Sequence, residues 1–97
     1  MPTFPGGQAA LVEYMVQHLK YPTAAWEAKK EGRVVIKFTV SRSGAIRKAH
    51  VAKGMGYGMD AEALRVVKAM PNWNPAEKDG KVVAVEVSLP VQFALPK

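Results

Sequence analysis

Apolar and polar residues alternate along two segments of the chain, and this period of two predicts β-strands. Residues 33–41 form the first strand, and its apolar side chains share one face: Val34, Ile36, Phe38 and Val40. Residues 82–93 show the longest alternation, with an apolar side chain at every odd-numbered position from Val83 to Phe93. Each of these strands therefore presents one apolar face to a core and one polar face to water.

A third, weaker strand is predicted over residues 46–53, after a Ser43-Gly44 pair that is typical of a hairpin turn. Within it, Ala49 and Val51 share one face, whereas Ile46 has the opposite parity. We therefore expect a β-bulge or an early turn near the start of this strand.

Helical spacing of apolar residues predicts helices over residues 8–20 and 59–70, and a short helix over residues 24–30. The apolar stripe of the first helix consists of Leu11, Val12, Met15, Val16 and Leu19. Tyr21-Pro22 ends this helix and Pro71 ends the last one, because proline cannot continue the helical hydrogen bonds. We expect Thr23 and Asp60 to cap the second and third helices, and Gly32 to end the second.

These elements predict a single α+β domain over residues 1–97, since a chain of this length supports one core. The expected architecture is a two-layer αββαβ arrangement with the helices packed on one face of a three-stranded antiparallel sheet. The hairpin and the returning helix place the last strand beside the first. The predicted spatial order of the strands is therefore second, first, third.

Composition excludes several classes of function. The chain contains no cysteine, which rules out disulfide scaffolds, thiol redox centres and cysteine nucleophiles. His18 and His50 are isolated from other ligands at metal-binding spacing, and no Ser-His-Asp constellation is apparent. We therefore expect no enzyme, no cofactor and no metal site. Trp73, between Pro71 and Pro75, is interpreted as a packing anchor under its loop and not as a ligand platform.

The chain carries a net charge of +6, and residues 20–53 hold nine basic side chains against two acidic ones. A solvated basic surface is the simpler interpretation, although an acidic partner, nucleic acid or an anionic membrane would also fit. No segment has the roughly 18 apolar residues of a membrane helix, and the first residues do not resemble a signal peptide. Either a cytosolic protein or an excised domain agrees with these observations.

Pro90 indicates that the last strand lies at an edge of the sheet, because proline lacks the N–H that an interior strand needs on both sides. If the odd-numbered residues bond the hairpin, then Ala84, Glu86 and Ser88 direct their backbone groups to the open side. Such an edge is a docking site for an added strand. It is equally an ordinary edge without a partner, or one that the chain ends cover.

Several motifs resemble the C-terminal domain of the TonB family of energy transducers, in the same order along nearly the whole chain. They are Tyr21-Pro22 with Ala25, the strand Gly32–Val40, the helix Asp60–Val67, the turn Met70–Pro75, and the terminal segments Gly80–Val82 and Leu89–Phe93, and Phe4–Gly7 fits one branch of the family. Each motif alone is weak, and together they are specific. Lys29 and Lys30 depart from the family, which often has glycine and an apolar residue there.

The resemblance implies a periplasmic domain of an inner-membrane protein whose N-terminal anchor is not in this chain. It implies that the domain binds the TonB box, a short peptide of outer-membrane transporters, by strand addition. Energy from a proton-driven inner-membrane motor complex would then pass through this contact to support nutrient uptake. Carried over by position, the docking strand consists of Val82, Val83, Ala84, Val85, Glu86, Val87, Ser88, Leu89 and Pro90.

Three other interpretations stay open at this point. In the first, the domain is a TonB-like module of a signalling receptor or peptidase. In the second, it forms a homodimer through the same edge strand. A basic sheet face that binds RNA is the third. The first strand argues against RNA, because its outward residues Arg33, Val35, Lys37 and Thr39 include no aromatic side chain on which a base can stack.

Overall fold

A computed structural model describes residues 1–95 of the chain. In chain order its elements are α1 (Gln8–His18), α2 (Thr23–Glu27), β1 (Gly32–Val40), β2 (Ile46–Lys53), α3 (Met59–Lys68), β3 (Ala76–Lys78), β4 (Lys81–Val83) and β5 (Val85–Phe93). The main sheet is antiparallel with the order β2-β1-β5. This α+β architecture and the predicted strand order, second, first, third, are confirmed.

The central strand β1 pairs along its whole length with β5, from Gly32 opposite Phe93 to Val40 opposite Val85. Its alternate apolar side chains are buried, as the sequence predicts: Val34, Ile36, Phe38 and Val40. α3 packs against β1 and β2 and buries Met59, Ala63, Val66 and Val67. The core therefore lies between the helices and one face of the sheet, and the opposite face is open to solvent.

The predicted bulge is present in β2. Arg47 lies opposite Thr39 and His50 lies opposite Lys37, so β2 carries one residue more than β1 in this interval. Lys48 adopts a positive φ of 56° at this point, which is the left-handed conformation of a bulge residue. The extra residue shifts the parity of the strand, and Ile46, Ala49 and Val51 all pack against the core.

A second, two-stranded sheet lies between α3 and β5, and it is absent from the predicted elements. β3 pairs with β4, from Ala76 opposite Val83 to Lys78 opposite Lys81. The two residues between them, Asp79 and Gly80, both have positive φ, as a type I′ turn requires. The predicted continuous strand 82–93 is therefore divided at Ala84 into β4 and β5.

The helices are shorter at their C-terminal ends than the sequence predicts, and local contacts explain this. α1 ends at His18 because the backbone N–H of Lys20 donates to Glu62 (2.6 Å) and not to the helix. α2 ends in a Schellman motif, in which Lys29 has φ 54° and the N–H of Lys30 donates to Ala25 (2.9 Å). Lys29, and not Gly32, is therefore the residue that terminates α2.

The predicted caps are also corrected. Pro22 occupies the N-cap position of α2, so Thr23 is already helical, and Gly58 occupies the N-cap of α3. The carboxylate of Asp60 instead accepts hydrogen bonds from the backbone N–H groups of Met55 (2.7 Å) and Gly56 (3.2 Å). Asp60 therefore fixes the glycine-rich connector before α3 and does not cap the helix with its side chain.

The N-terminal segment is attached to the loop before β3. Thr3 and Asn74 exchange two backbone hydrogen bonds, of 3.1 and 2.8 Å. Phe4 is buried and packs edge-on against Trp73, with ring centroids 5.8 Å apart. Trp73 also packs against Phe38 of the central strand, at 5.3 Å. Trp73 is only 6% exposed, as expected of the packing anchor that the sequence indicates.

Candidate functional site

β5 is an edge strand of the main sheet. It pairs with β1 on one side, and within residues 1–95 no strand or bridge pairs with its other side. Glu86, Ser88 and Pro90 are exposed along it, whereas Val91 and Phe93 are buried. A second polypeptide therefore has access to one complete side of this strand.

The hairpin determines which backbone groups of β5 point outward. The N–H of Ser41 donates to Ala45 (2.9 Å) across the turn, so odd-numbered residues of β1 direct their backbone groups toward β2. Even-numbered residues of β1 then bond β5, and their partners there are odd-numbered. The outward row of β5 consists of the even-numbered residues Glu86, Ser88, Pro90 and Gln92.

Pro90 fits this assignment, because it lies opposite the odd-numbered residue Val35. Proline has no N–H to donate, and at an outward position it leaves no β1 carbonyl without a partner. Along the outward row it interrupts the series of donors between Ser88 and Gln92.

The predicted docking residues are not all in β5. Val82 and Val83 belong to β4 and lie opposite Glu77 and Ala76 of β3. Ala84 lies between β4 and β5 and is in neither strand. The structure therefore brings Val85, Glu86, Val87, Ser88, Leu89 and Pro90 into one edge strand, and sets Val82, Val83 and Ala84 apart from it.

A groove of about 470 Å³ runs between α1 and the C-terminal half of β5. Val12 and Val16 of α1 line it and are 53% and 75% exposed, although the sequence places them on the buried stripe. Of that predicted stripe, Leu11 is fully in the core, while Met15 and Leu19 are half-buried. This groove does not follow from the sequence pattern, because the position of α1 depends on contacts with α3.

Polar contacts fix α1 against α3. Arg65 donates to the main-chain oxygen of His18 (3.0 Å) and to both carboxylate oxygens of Glu62 (2.8 Å each). The hydrogen bonds from Arg65 lower the pKa of Glu62, and partial burial opposes this effect. Tyr14 adds a hydrogen bond to the carbonyl of Val66 (3.2 Å), and burial raises its pKa. These contacts hold α1 beside the sheet edge.

Charge is unevenly distributed on the open face of the sheet. Basic side chains occupy this face of β1 and β2: Arg33, Lys37, Arg47 and Lys53, with His50 between them in the register. β5 contributes one acidic residue, Glu86, opposite Thr39. Within residues 1–95 the one ion pair is Arg65–Glu62, which is remote from this face. The face is therefore positive around Ser88 and negative only near Glu86.

The remaining candidate residues do not assemble a reactive or metal-binding site in the described part of the chain. His18 stacks on Tyr14, with ring centroids 4.4 Å apart, and Nδ1 of His50 lies 2.9 Å from the carbonyl oxygen of Lys48. No group of three or more His, Cys, Asp or Glu side chains forms a metal site within residues 1–95. Over the same residues, no helix is both long and apolar enough to span a bilayer.

Comparison with known proteins decides the family. The sequence profile described as "Gram-negative bacterial TonB protein C-terminal" matches residues 17–95. The chain belongs to this family. Its fold agrees with the solution structure of the TonB C-terminal domain of Helicobacter pylori, with a TM-score of 0.68 and 19% sequence identity over 92% of this chain and 94% of that chain. No curated protein matches the chain well enough to count as a relative.

Membership of the TonB C-terminal family carries several general properties. The family is a non-enzymatic binding and transducing domain of the Gram-negative periplasm, and it interacts with outer-membrane transporters. The expectation that this chain is not an enzyme is therefore confirmed by its family. The likeness to the Helicobacter pylori domain is too distant in sequence to transfer individual residues, and it establishes the fold.

Proposed function

We propose that this TonB C-terminal domain binds the TonB box of an outer-membrane transporter as an additional strand on β5. In this proposal the domain is part of an inner-membrane-anchored protein, and it transmits energy from a proton-driven motor complex to the transporter for nutrient uptake. The observation that carries the proposal is the unpaired outer side of β5 within residues 1–95, in a chain of this family.

The outward backbone row supplies the bonds for an added strand. Glu86, Ser88 and Gln92 offer N–H groups, and the same residues with Pro90 offer carbonyl groups. Four to six such bonds at about 1 kcal/mol each give only modest affinity. A contact that transmits force and then releases its partner is served by affinity in this range.

The first experiment titrates the ¹⁵N-labelled domain with TonB-box peptides from candidate transporters. We expect the largest amide shifts at Glu86 and Ser88, with smaller changes at Ala84, which lies at the start of the edge. Shifts concentrated on β2 or α3 would place the binding site elsewhere.

The second experiment removes one outward donor. Glu86→Pro is expected to reduce peptide affinity at least tenfold, because one bond is lost and the ring lies in the path of the incoming backbone. The fold is expected to survive, since Pro90 already occupies an equivalent outward position. Glu86→Ala keeps the N–H and is the matched control. If a folded Glu86→Pro variant binds as well as Glu86→Ala, the proposed docking edge is wrong.

A further inference from the structure

The groove between α1 and β5 borders the helix-facing side of the strand and also reaches its open edge. Its lining includes Leu89 and Val91, whose side chains face the helices, and also Pro90 and Gln92, which belong to the outward row. An added strand on β5 would therefore lie along the mouth of this groove. Alternate side chains of that strand would point toward α1.

The apolar surface inside the groove has no cover within residues 1–95. Val16 is 75% exposed and Val12 is 53% exposed, and they lie one helical turn apart on the side of α1 that faces β5. Aliphatic side chains of a bound peptide, at positions alongside Leu89 and Val91, would bury these valines. The groove volume of about 470 Å³ is in the range of small-ligand sites.

The other face of the added strand meets a different chemistry. Ser88 lies opposite Lys37 in the sheet, and Lys37 lies opposite His50. A side chain alongside Ser88 would be two strand spacings, about 9.5 Å, from the backbone of Lys37. Ser88 is small, and lysine carries its ammonium on a flexible four-carbon stem, so a carboxylate at that position lies within reach of Lys37. Alongside Glu86, by contrast, a second carboxylate would be repelled.

We propose that β5 selects an extended peptide with the pattern acidic-apolar-any-apolar, in which the two apolar residues are separated by one residue of any kind. The acidic side chain lies alongside Ser88 and faces Lys37, and the two apolar side chains enter the groove under Val12 and Val16. This inference rests on the proposed docking of a strand on β5. It adds a charge site and an apolar site to backbone bonding that is itself insensitive to sequence.

The test uses short synthetic peptides with this acidic-apolar-any-apolar pattern, with glutamate as the acidic residue and valine as the apolar ones. Each peptide is also made with the reversed residue order, because an added strand can run parallel or antiparallel to β5. In a second set lysine replaces the glutamate, and in a third alanine replaces both valines. At low salt, we expect each lysine peptide to bind about two- to fivefold more weakly than the glutamate peptide that it replaces. We expect the alanine set to bind about tenfold more weakly.

Variants of the domain locate the two sites. Lys37→Glu is expected to reverse the preference, so that the lysine peptide binds more tightly than the glutamate peptide. Lys68→Glu, an exposed position on α3, makes the same charge change away from the edge and is the control. Val16→Asp is expected to weaken binding of the valine peptides at least tenfold. Gln17→Asp adds the same charge to an exposed residue of α1 outside the groove, and should change binding little.

The outcomes separate the two proposals. If no peptide shifts the amides of Glu86 and Ser88, the docking edge and this inference both fail. If all peptides shift these amides equally, and Val16→Asp behaves like Gln17→Asp, the edge binds strands but the selection proposed here is wrong. If the same amides shift with protein concentration in the absence of peptide, a second copy of the chain occupies the edge, and the proposed occupant is wrong.

Discussion

The contact between the hairpin turn and the loop before β3 gives a quantitative test of the packing. Gly44 has φ 88°, and its carbonyl accepts a hydrogen bond from the N–H of Trp73 (2.8 Å). A Cβ at Gly44 would lie 2.0 Å from the carbonyl oxygen of Trp73. Gly80 has a similar φ of 77°, but a Cβ there would have no neighbour within 4 Å. Gly80→Ala is therefore a matched control for Gly44→Ala.

Both substitutions incur the left-handed backbone penalty, which is about 1–2 kcal/mol for a residue with a Cβ. Gly44→Ala also forces the two backbones apart, with loss of a hydrogen bond of about 1 kcal/mol. Displacement of Trp73 from Phe4 and Phe38 weakens aromatic pairs that contribute about 0.5–1.5 kcal/mol each. We therefore expect Gly44→Ala to lower the unfolding free energy by about 1–3 kcal/mol more than Gly80→Ala does.

Urea unfolding measures this difference. With a slope near 1–1.5 kcal/mol/M, the midpoint of Gly44→Ala should lie about 0.7–3 M below that of Gly80→Ala. Far-UV circular dichroism is the primary probe, because the exposed Trp26 contributes to the fluorescence together with Trp73. Equal losses in the two variants would refute the reasoning, since they would show that the close approach of Gly44 to Trp73 has no energetic consequence.

Two further predictions concern stability. The hydrogen bonds from Arg65 hold the pKa of Glu62 below its ordinary value of 4.5, so its contribution is present above that pH and is lost as the pH falls through the lowered pKa of the folded state. Acid titrations followed by circular dichroism should therefore show a shallower decline for Glu62→Gln than for the parent, whereas a slope identical to the parent would exclude this role. Lys29→Gly should raise the unfolding free energy by up to about 1 kcal/mol, because Lys29 has a positive φ at the end of α2; Lys30→Gly in the same turn should not, and equal effects of the two in urea would contradict the assignment.

Local sequence patterns predict the sheet well, because an alternating strand needs only its own residues to define its faces. The buried set in β1 and the inward residues of β5 follow directly from the alternation. The bulge near Lys48 is also foreseeable, since the parity of Ile46 conflicts with that of Ala49. The β3–β4 hairpin is missed, although Asp79-Gly80 is a strong two-residue turn signal.

The candidate site is less predictable because it depends on long-range contacts. Val12 and Val16 have the spacing of buried residues, and nothing in α1 itself separates them from Leu11. Their exposure follows from the placement of α1 against α3, which rests on bonds between residues far apart in sequence, such as Tyr14 to Val66 and Arg65 to His18. The left-handed backbone conformations of Lys29 and Lys48 are also not predictable from the sequence, because glycine is the residue expected at such positions.

The two halves of β5 differ in what they offer a bound peptide. The first half offers backbone hydrogen bonds that accept any sequence, and the second half lies beside the groove that favours apolar side chains. The outward N–H groups of Glu86 and Ser88 lie in the first half, where an added backbone bonds whatever its side chains are. The groove lies beside residues 89–94, and Pro90 removes a donor where the groove begins. Backbone bonding is therefore weakest where side-chain burial is greatest. A peptide that lacks suitable apolar residues would bind through the first half alone, and its affinity would then approach that of a few hydrogen bonds.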